Sequence, residues 1–136
     1  DMGNYLYSQY RGKWIPDTPG RRRAMISNLS SWNTFSNSSP VEGITRAISA
    51  FYDPNKKISI YVFGDEFTGK SITNVVKTID RLNPKDNSGN TKIRIHGVGF
   101  PIPENAPEHF QITSQRYATL MREVSQKNGG TFIGVN

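Results

Sequence analysis

The chain has 136 residues and a mass of 15.3 kDa, which fits one domain and excludes a two-domain enzyme. Hydrophobic residues make up 35% and aromatic residues 11% of it, which excludes a disordered tail because a core can form. No apolar run approaches the roughly 18 residues of a membrane-spanning helix. The absence of cysteine excludes disulfides and thiolate chemistry and leaves the cellular compartment open.

The net charge of +6 suits an acidic partner. Only Arg21, Arg22 and Arg23 form a basic run, however, and the other cations are interspersed with acidic residues. Such a run more often marks an exposed helix start than a polyanion site. We therefore do not expect nucleic acid to be the ligand.

Residues 1–20 are predicted to form an irregular arm, because Pro16 and Pro19 interrupt helices and central strands. The arm carries four large aromatic side chains: Tyr5, Tyr7, Tyr10 and Trp14. Residues 21–136 are predicted to form a single α/β domain. Its first helix is expected from Arg21 to Trp32, with Met25, Leu29 and Trp32 spaced to form one buried stripe.

A second helix is predicted from Ser39 to about Tyr52, because Ser39, Pro40 and Glu42 form a capping box with proline in the first turn. The next segment, residues 58–63, is almost purely apolar (ISIYVF). Continuous apolar character is typical of a strand that is covered on both faces in a parallel sheet.

Three more elements and a short strand complete the chain. Apolar residues at helical spacing predict a helix from Ile72 to Leu82, and residues 92–100 (KIRIHGVGF) predict a strand. The last helix is expected to start with Thr113 as its cap and to end at residues 128–130 (NGG) in a left-handed turn. A final strand is predicted at residues 131–135.

Strands that alternate with helices indicate the α/β class, with a three-layer, Rossmann-like parallel sheet and helices on both faces. Ligands of such sheets bind beyond the carboxyl ends of the strands. The segments after Phe63, Phe100 and Val135 are therefore the places where function is expected.

The loop after the first strand, residues 64–71 (GDEFTGKS), matches the phosphate-loop pattern G-x-x-x-x-G-K-[ST]. Gly64 and Gly69 would shape the loop, Lys70 would contact the terminal phosphate and Ser71 would hold magnesium. Against this, Asp65 and Glu66 would repel phosphate, and no later strand ends in the Asp that holds magnesium. A small nucleotide-binding protein is thus the alternative function.

The residues from 36 to 135 resemble the later half of a von Willebrand factor A-type domain. Four stretches carry the resemblance: SNSSPVEGITRAI, ISIYVFGDEF, KIRIHGVGF and LMREVSQKNGGTFIGV. The resemblance implies a doubly wound sheet and non-enzymatic protein binding through a magnesium ion.

The resemblance also implies two metal ligands. Asp65 matches the Asp at the end of that family's strand, and Ser38, or Ser39 one position off, matches its loop Thr. The family's main metal motif, Asp-x-Ser-x-Ser, occurs nowhere in the chain. We therefore expect a truncated or altered A-type interaction domain with a degenerate site, little affinity for Mg²⁺ and no obligatory cofactor.

The strand at residues 58–63 would have an unpaired edge in this arrangement, and unpaired edges invite another chain. The aromatic arm is expected either to cover that edge or to cross to a second molecule. A homodimer is the assembly that this interpretation predicts, with the protein partner unidentified.

Overall fold

The computed structural model describes residues 4–32 and 39–135. After a single 3-10 turn, four helices and three strands follow in the order α1, α2, β1, α3, β2, α4, β3. The helices are α1 (Pro19–Ser30), α2 (Val41–Phe51), α3 (Ile72–Leu82) and α4 (Glu108–Lys127), and the strands are β1 (Ile58–Gly64), β2 (Ile93–Gly99) and β3 (Phe132–Gly134). The α/β class is confirmed: a small parallel sheet is flanked by helices, as in a Rossmann-like fold.

The sheet has the strand order β1-β2-β3, and both pairs are parallel. Ile58 aligns with Ile93 at one end of the first pair and Gly64 with Gly99 at the other. The crossovers through α3 and α4 step across the sheet in the same direction. Because such crossovers share one hand, both helices lie on the same face of the sheet.

The hydrophobic core lies between that face and a layer formed by α2, α3 and α4. Its members are buried apolar side chains from all three helices, from the inward positions of β1 and β2, and from the β1–α3 loop: Ile44, Ile48, Ile58, Phe67, Val76, Ile79, Ile93, Ile95, Tyr117, Leu120, Met121 and Val124. Inward residues alternate with outward ones along each strand, as the pleat requires. The core is therefore one-sided.

The opposite face of β1 is not covered, so the expectation that residues 58–63 are buried on both faces is wrong. Tyr61 is 61% exposed and Phe63 is 63% exposed, whereas Ile60 and Val62 pack against the core. The apolar run is really an alternating strand whose outward positions carry aromatic side chains. The hydrophobic pattern does not show this alternation, because the outward Tyr and Phe are apolar like the inward Ile and Val.

Glycines on the inner face let α4 approach the sheet closely. A Cβ atom at Gly64 would lie 2.9 Å from the Tyr117 ring, and one at Gly97 would lie 2.9 Å from the Cβ of Met121. Gly99 faces the Phe132 ring in the same way. The small residues of the VGF segment thus make room for large side chains of α4 and β3.

A buried amide network holds the amino end of β2. The Asn83 side chain accepts a hydrogen bond from the Ile93 amide at 3.0 Å and donates to the Ile93 carbonyl at 2.7 Å. It also donates to the Asn128 side chain at 2.7 Å, and Asn128 in turn donates to the Val124 carbonyl. These bonds tie the ends of α3 and α4 to the start of β2.

Two helix starts differ from the sequence prediction. The cap of α2 is Pro40, not Ser39, and no side chain caps this helix, so the predicted capping box is wrong. Helix α4 starts at Glu108, directly after Pro107, rather than at Thr113. Thr113 lies in the second turn, where its hydroxyl donates to Glu66 at 3.0 Å instead of capping the helix.

Helix α1 forms close to its predicted place but has no buried residue. The expected stripe of Met25, Leu29 and Trp32 is not buried, since Leu29 and Trp32 are 58% and 39% exposed. The arm contacts the end of α2, where Tyr5 and Trp14 lie against Phe51, and leaves Tyr61 and Phe63 uncovered. Within the described ranges, no helix is long and apolar enough to cross a membrane.

Two glycine substitutions should have opposite effects on stability. A Cβ at Gly130 would lie 1.9 Å from the Ile95 carbonyl oxygen, so Gly130→Ala must push β3 away and should lower the free energy of unfolding by at least about 2 kcal/mol. Gly43 lies inside α2 with open space around it, so Gly43→Ala should raise it by about 0.5–1 kcal/mol. Urea denaturation of both variants measures this, and equal stabilities would contradict the packing described.

Candidate functional site

The uncovered side of the sheet is the most distinctive surface of the chain, and we call it the open face. It consists of outward residues of the three strands and of the residues next to them: Ser59, Tyr61, Phe63, Arg94, His96, Val98, Phe100, Thr131, Ile133 and Val135. They share this face because residues two apart on a strand point the same way.

Two stacked ring pairs run across the open face between β1 and β2. The rings of Tyr61 and His96 stack at 4.8 Å with an interplanar angle of 13°. The rings of Phe63 and Phe100 lie 6.3 Å apart at 23°. Paired rings restrict each other's rotamers, so the aromatic surface is held in a defined shape before anything binds to it.

His96 adds a polar group to this surface. Its Nδ1 accepts a hydrogen bond from the Thr131 amide at 3.2 Å, and the Thr131 hydroxyl lies at the same distance. Because an amide can only donate, Nδ1 carries no proton in this arrangement, and the neutral ring carries its proton on Nε2. The ring is therefore fixed in one tautomer beside Tyr61.

The apolar part of the open face is large for a small domain. Phe100, Ile133 and Val135 are 47%, 59% and 42% exposed, in addition to Tyr61 and Phe63. Since an aromatic side chain has about 150–250 Å² of surface, the three exposed rings alone leave roughly 300 Å² of aromatic surface in water. Patches of that size on a monomer are commonly interaction sites.

A basic cleft of about 410 Å³ adjoins the open face at the amino ends of β1 and β2. Ser59 and Arg94 of the open face line it, and five lysines complete the cationic lining: Lys56, Lys57, Lys85, Lys92 and Lys127. Lys56 pairs with Asp53, and Lys127 pairs with Asp80 and Glu123. In the part of the chain that the structure describes, the other three lysines and Arg94 make no salt bridge, so this cleft attracts anionic groups.

The phosphate-loop-like segment is filled by its own side chain. Phe67 is fully buried, its amide donates to the Thr113 carbonyl at 3.0 Å, and a Cβ at Gly69 would lie 2.4 Å from its ring. Gly64 is required because a Cβ atom there would lie 2.9 Å from the Tyr117 ring. Both glycines thus have a packing reason, and neither has the positive φ that an anion-binding backbone nest uses.

The carbonyl groups of this loop are bound by a cation of the chain itself. The Arg116 guanidinium donates to the carbonyls of Gly69 and Lys70 and lies over the Phe67 ring. Ser71 caps α3, since its hydroxyl accepts from the Asn74 amide at 3.2 Å. Lys70 is exposed. The structure thus presents carbonyls where a phosphate would need amide groups.

Of the two proposed metal ligands, only Asp65 belongs to the described residues, and Ser38 lies outside them. Asp65 directly follows β1 and is exposed, at the carboxyl end of the sheet where the sequence placed it. Among residues 4–32 and 39–135, no group of three or more His, Asp or Glu side chains could hold a metal ion. Asp65 therefore stays a single candidate ligand.

Beneath Asp65, the Tyr117 hydroxyl lies between the carboxyl ends of β1 and β2. It is 3.2 Å from the Val62 carbonyl oxygen and 3.3 Å from the Val98 carbonyl oxygen. Burial raises the pKa of Tyr117 far above its ordinary value, and the charge of Asp65 raises it further. The phenol therefore stays protonated and acts as a hydrogen-bond donor to the sheet.

Comparisons with protein families, with characterised proteins and with solved structures find no significant match to this chain. The interpretation of the site rests on its geometry and on the motifs in the sequence.

Sequence reasoning placed the candidate residues in the loops and missed the open face. The signal was present at alternating positions of β1, where Ser59, Tyr61 and Phe63 occupy one side and aliphatic residues the other. The stacking of His96 on Tyr61 could not be predicted without the strand register.

Lys70→Ala should leave the melting temperature unchanged within about 1 °C, because its side chain is exposed. Arg116→Ala should lower the free energy of unfolding by about 1–3 kcal/mol, since two loop carbonyls lose their donor.

Neither variant nor the parent should be stabilised by Mg-ATP. Thermal denaturation with and without the nucleotide measures both effects, and a stabilisation near 2.7 kcal/mol, which a ligand at about a hundred times its dissociation constant supplies, would restore the phosphate-loop interpretation.

Tyr117 should make stability fall at alkaline pH. Its folded pKa is raised from 10.0, so the unfolded chain loses this proton first, and the stabilisation is present below about pH 10 and declines as pH rises further. Tyr117→Phe should be less stable at pH 7 by about 1 kcal/mol and should show a shallower decline above pH 10. Urea denaturation between pH 7 and 11 compares the two, with the exposed Tyr52→Phe as control. Parallel curves for the parent and Tyr117→Phe would contradict this role.

Proposed function

We propose that this chain is a non-enzymatic protein-interaction domain of the von Willebrand factor A type, and that it binds its partner through the open face. The observation that carries the proposal is the uncovered side of the parallel sheet with its two stacked ring pairs. Parallel sheets are found almost only with both faces covered, so a second layer is expected to bind there.

Three features support the A-type assignment. Asp65 directly follows β1, small residues of β2 face a long last helix, and α4 ends at Asn128 and Gly129 before β3. The φ of Gly129 is +65°, which fits the left-handed turn expected there. The metal-ion site of such a domain is incomplete in this proposal, with Asp65 and Ser38 as its remaining ligands.

The dimensions of the open face suit a single α-helix. Three strands about 4.8 Å apart span about 10 Å, which is the diameter of one helix with its side chains. A strand of seven residues is about 23 Å long, which matches a helix of about 15 residues. An amphipathic helix with one apolar stripe would cover the rings of Tyr61, Phe63 and Phe100 together.

Charge indicates how that helix is oriented. The open face carries one charged side chain, Arg94, which also belongs to the basic cleft. At the carboxyl end of the sheet, the open face ends in Phe100 and Val135. The partner is thus an amphipathic helix with acidic residues at the end that lies over the cleft.

A second copy of the chain is the competing occupant, since the sequence predicts a homodimer, although through the unpaired edge of residues 58–63 and not through the open face. Two copies would bring together two chains that each carry a net charge of +6, whereas an acidic helix would not add this repulsion. Sedimentation velocity of the chain alone distinguishes the two. A dimer that Tyr61→Thr and Phe63→Thr together dissociate would replace the helical partner by the second copy.

The test uses designed peptides of about 18 residues with a leucine stripe at helical spacing. One peptide has four glutamates at one end, a second has four lysines there, and a third has the composition of the first in scrambled order. The glutamate peptide should bind most tightly in calorimetry. The double variant Tyr61→Thr and Phe63→Thr should weaken it at least tenfold, because the central rings are lost while Thr keeps the strand propensity.

The matched control is the double variant Ile26→Ser and Leu29→Ser. These residues are about as exposed as Tyr61 and Phe63 but lie on α1, away from the open face, so peptide affinity should not change. Equal affinity for the glutamate and scrambled peptides, or equal losses in the two double variants, would contradict the proposal.

A further inference from the structure

The aromatic arm encloses a pocket that is separate from the open face. The pocket lies between the arm, the first turns of α1 and the end of α2, and has a volume of about 310 Å³. Five aromatic side chains line it: Tyr5, Tyr7, Tyr10, Trp14 and Phe51. No open-face residue takes part. Apolar pockets of this size with a few polar groups are typical of small-molecule sites.

Phe51 is the centre of this arrangement. Its ring lies 5.0 Å from the Trp14 ring and 6.5 Å from the Tyr5 ring. On the other wall, Tyr7 and Tyr10 contact each other edge to face at 6.3 Å. Rings held from several directions form walls that suit a flat, unsaturated ligand, which can stack on them.

Tyr7, which lines the pocket, has an unsatisfied hydroxyl. It is buried and has no hydrogen-bond partner among the described residues. Buried polar groups in folded proteins are nearly always paired, and an orphan needs an explanation. A ligand atom that accepts a hydrogen bond from the phenol would supply the missing partner.

The lining of the pocket carries a net positive charge. Lys13, Arg21 and Arg22 line it together with one acidic residue, Asp17. Asp17 is bound by Arg22 through two hydrogen bonds of 2.6 Å. In the described ranges, Lys13 and Arg21 make no salt bridge, and the Arg21 guanidinium lies 5.1 Å from the centre of the Tyr10 ring. Two cations without an acidic partner favour an anionic ligand.

We infer that this pocket binds a small planar aromatic acid. The aromatic body stacks against the rings around Phe51, the Tyr7 hydroxyl donates to an acceptor atom of the ligand, and Arg21 binds the carboxylate. This site is independent of the proposed function, because its residues lie outside the open face.

The test follows Trp14 fluorescence in a Trp32→Phe background, where Trp14 is the one tryptophan left. The probe is 2-naphthoate, and its neutral analogue is 2-naphthalenemethanol. Saturable quenching by 2-naphthoate is expected with a Kd below about 1 mM, as ligand efficiency allows for 13 heavy atoms. The neutral analogue should bind about tenfold more weakly.

Arg21→Gln should weaken 2-naphthoate about tenfold and leave the neutral analogue unchanged. Arg23→Gln is the matched control, since it removes the same charge from the same helix but does not line the pocket, and it should change neither affinity. Tyr7→Phe should weaken 2-naphthoate about fivefold, which corresponds to one hydrogen bond, without lowering the melting temperature of the ligand-free chain.

Three results would overturn the inference. They are the absence of saturable quenching, equal losses in Arg21→Gln and Arg23→Gln, and unchanged affinity in Tyr7→Phe. The first removes the site, the second reduces the charge effect to a general attraction, and the third leaves the phenol without a role in binding.

Discussion

The side-chain amide of Asn83 is the interaction on which the sheet most depends. It replaces a strand neighbour at the start of β2 by bonding both the amide and the carbonyl of Ile93, and it joins Asn128 at the end of α4. Each of these groups is buried, so loss of one partner would leave others unsatisfied at a cost of about 1–3 kcal/mol each. No apolar side chain could satisfy these groups. The core therefore contains a buried hydrogen-bond network that fixes where α3 and α4 end.

The carboxyl end of the sheet is organised by close packing instead. Gly64, Gly97 and Gly99 remove side chains from the inner face, so that Tyr117 and Met121 of α4 lie directly on the backbone. At this end the large inward side chains therefore come from α4 and from Phe132 of β3. The outward face shows the opposite distribution, with the rings of Tyr61 and Phe63 on the strand itself. This asymmetry is what gives the sheet one structural side and one side suited to binding.

Elements with strong local signals could be predicted from the sequence. Helix α3 has its predicted bounds because Ser71 caps it and Asn83 ends it, and all three strands lie within a residue or so of their predicted places. The start of α4 could not be predicted, because Thr113 bonds Glu66 from a distant loop. The phosphate-loop pattern was ambiguous because a glycine that binds an anion and a glycine that makes room for a ring look identical in sequence. Only the position of the Phe67 ring in the structure distinguishes the two. The open face needed the strand register.

The parallel register has a consequence for how the chain reaches its native state. Ile58 can pair with Ile93 only after α3 and the turn behind it are in place, since parallel strands cannot be joined by a short hairpin. β1 therefore pairs with a strand that is distant in sequence, and forming such long-range contacts slows folding. Until these contacts form, the inner and outer apolar residues of β1 are exposed together, and transiently exposed apolar strands are prone to aggregation.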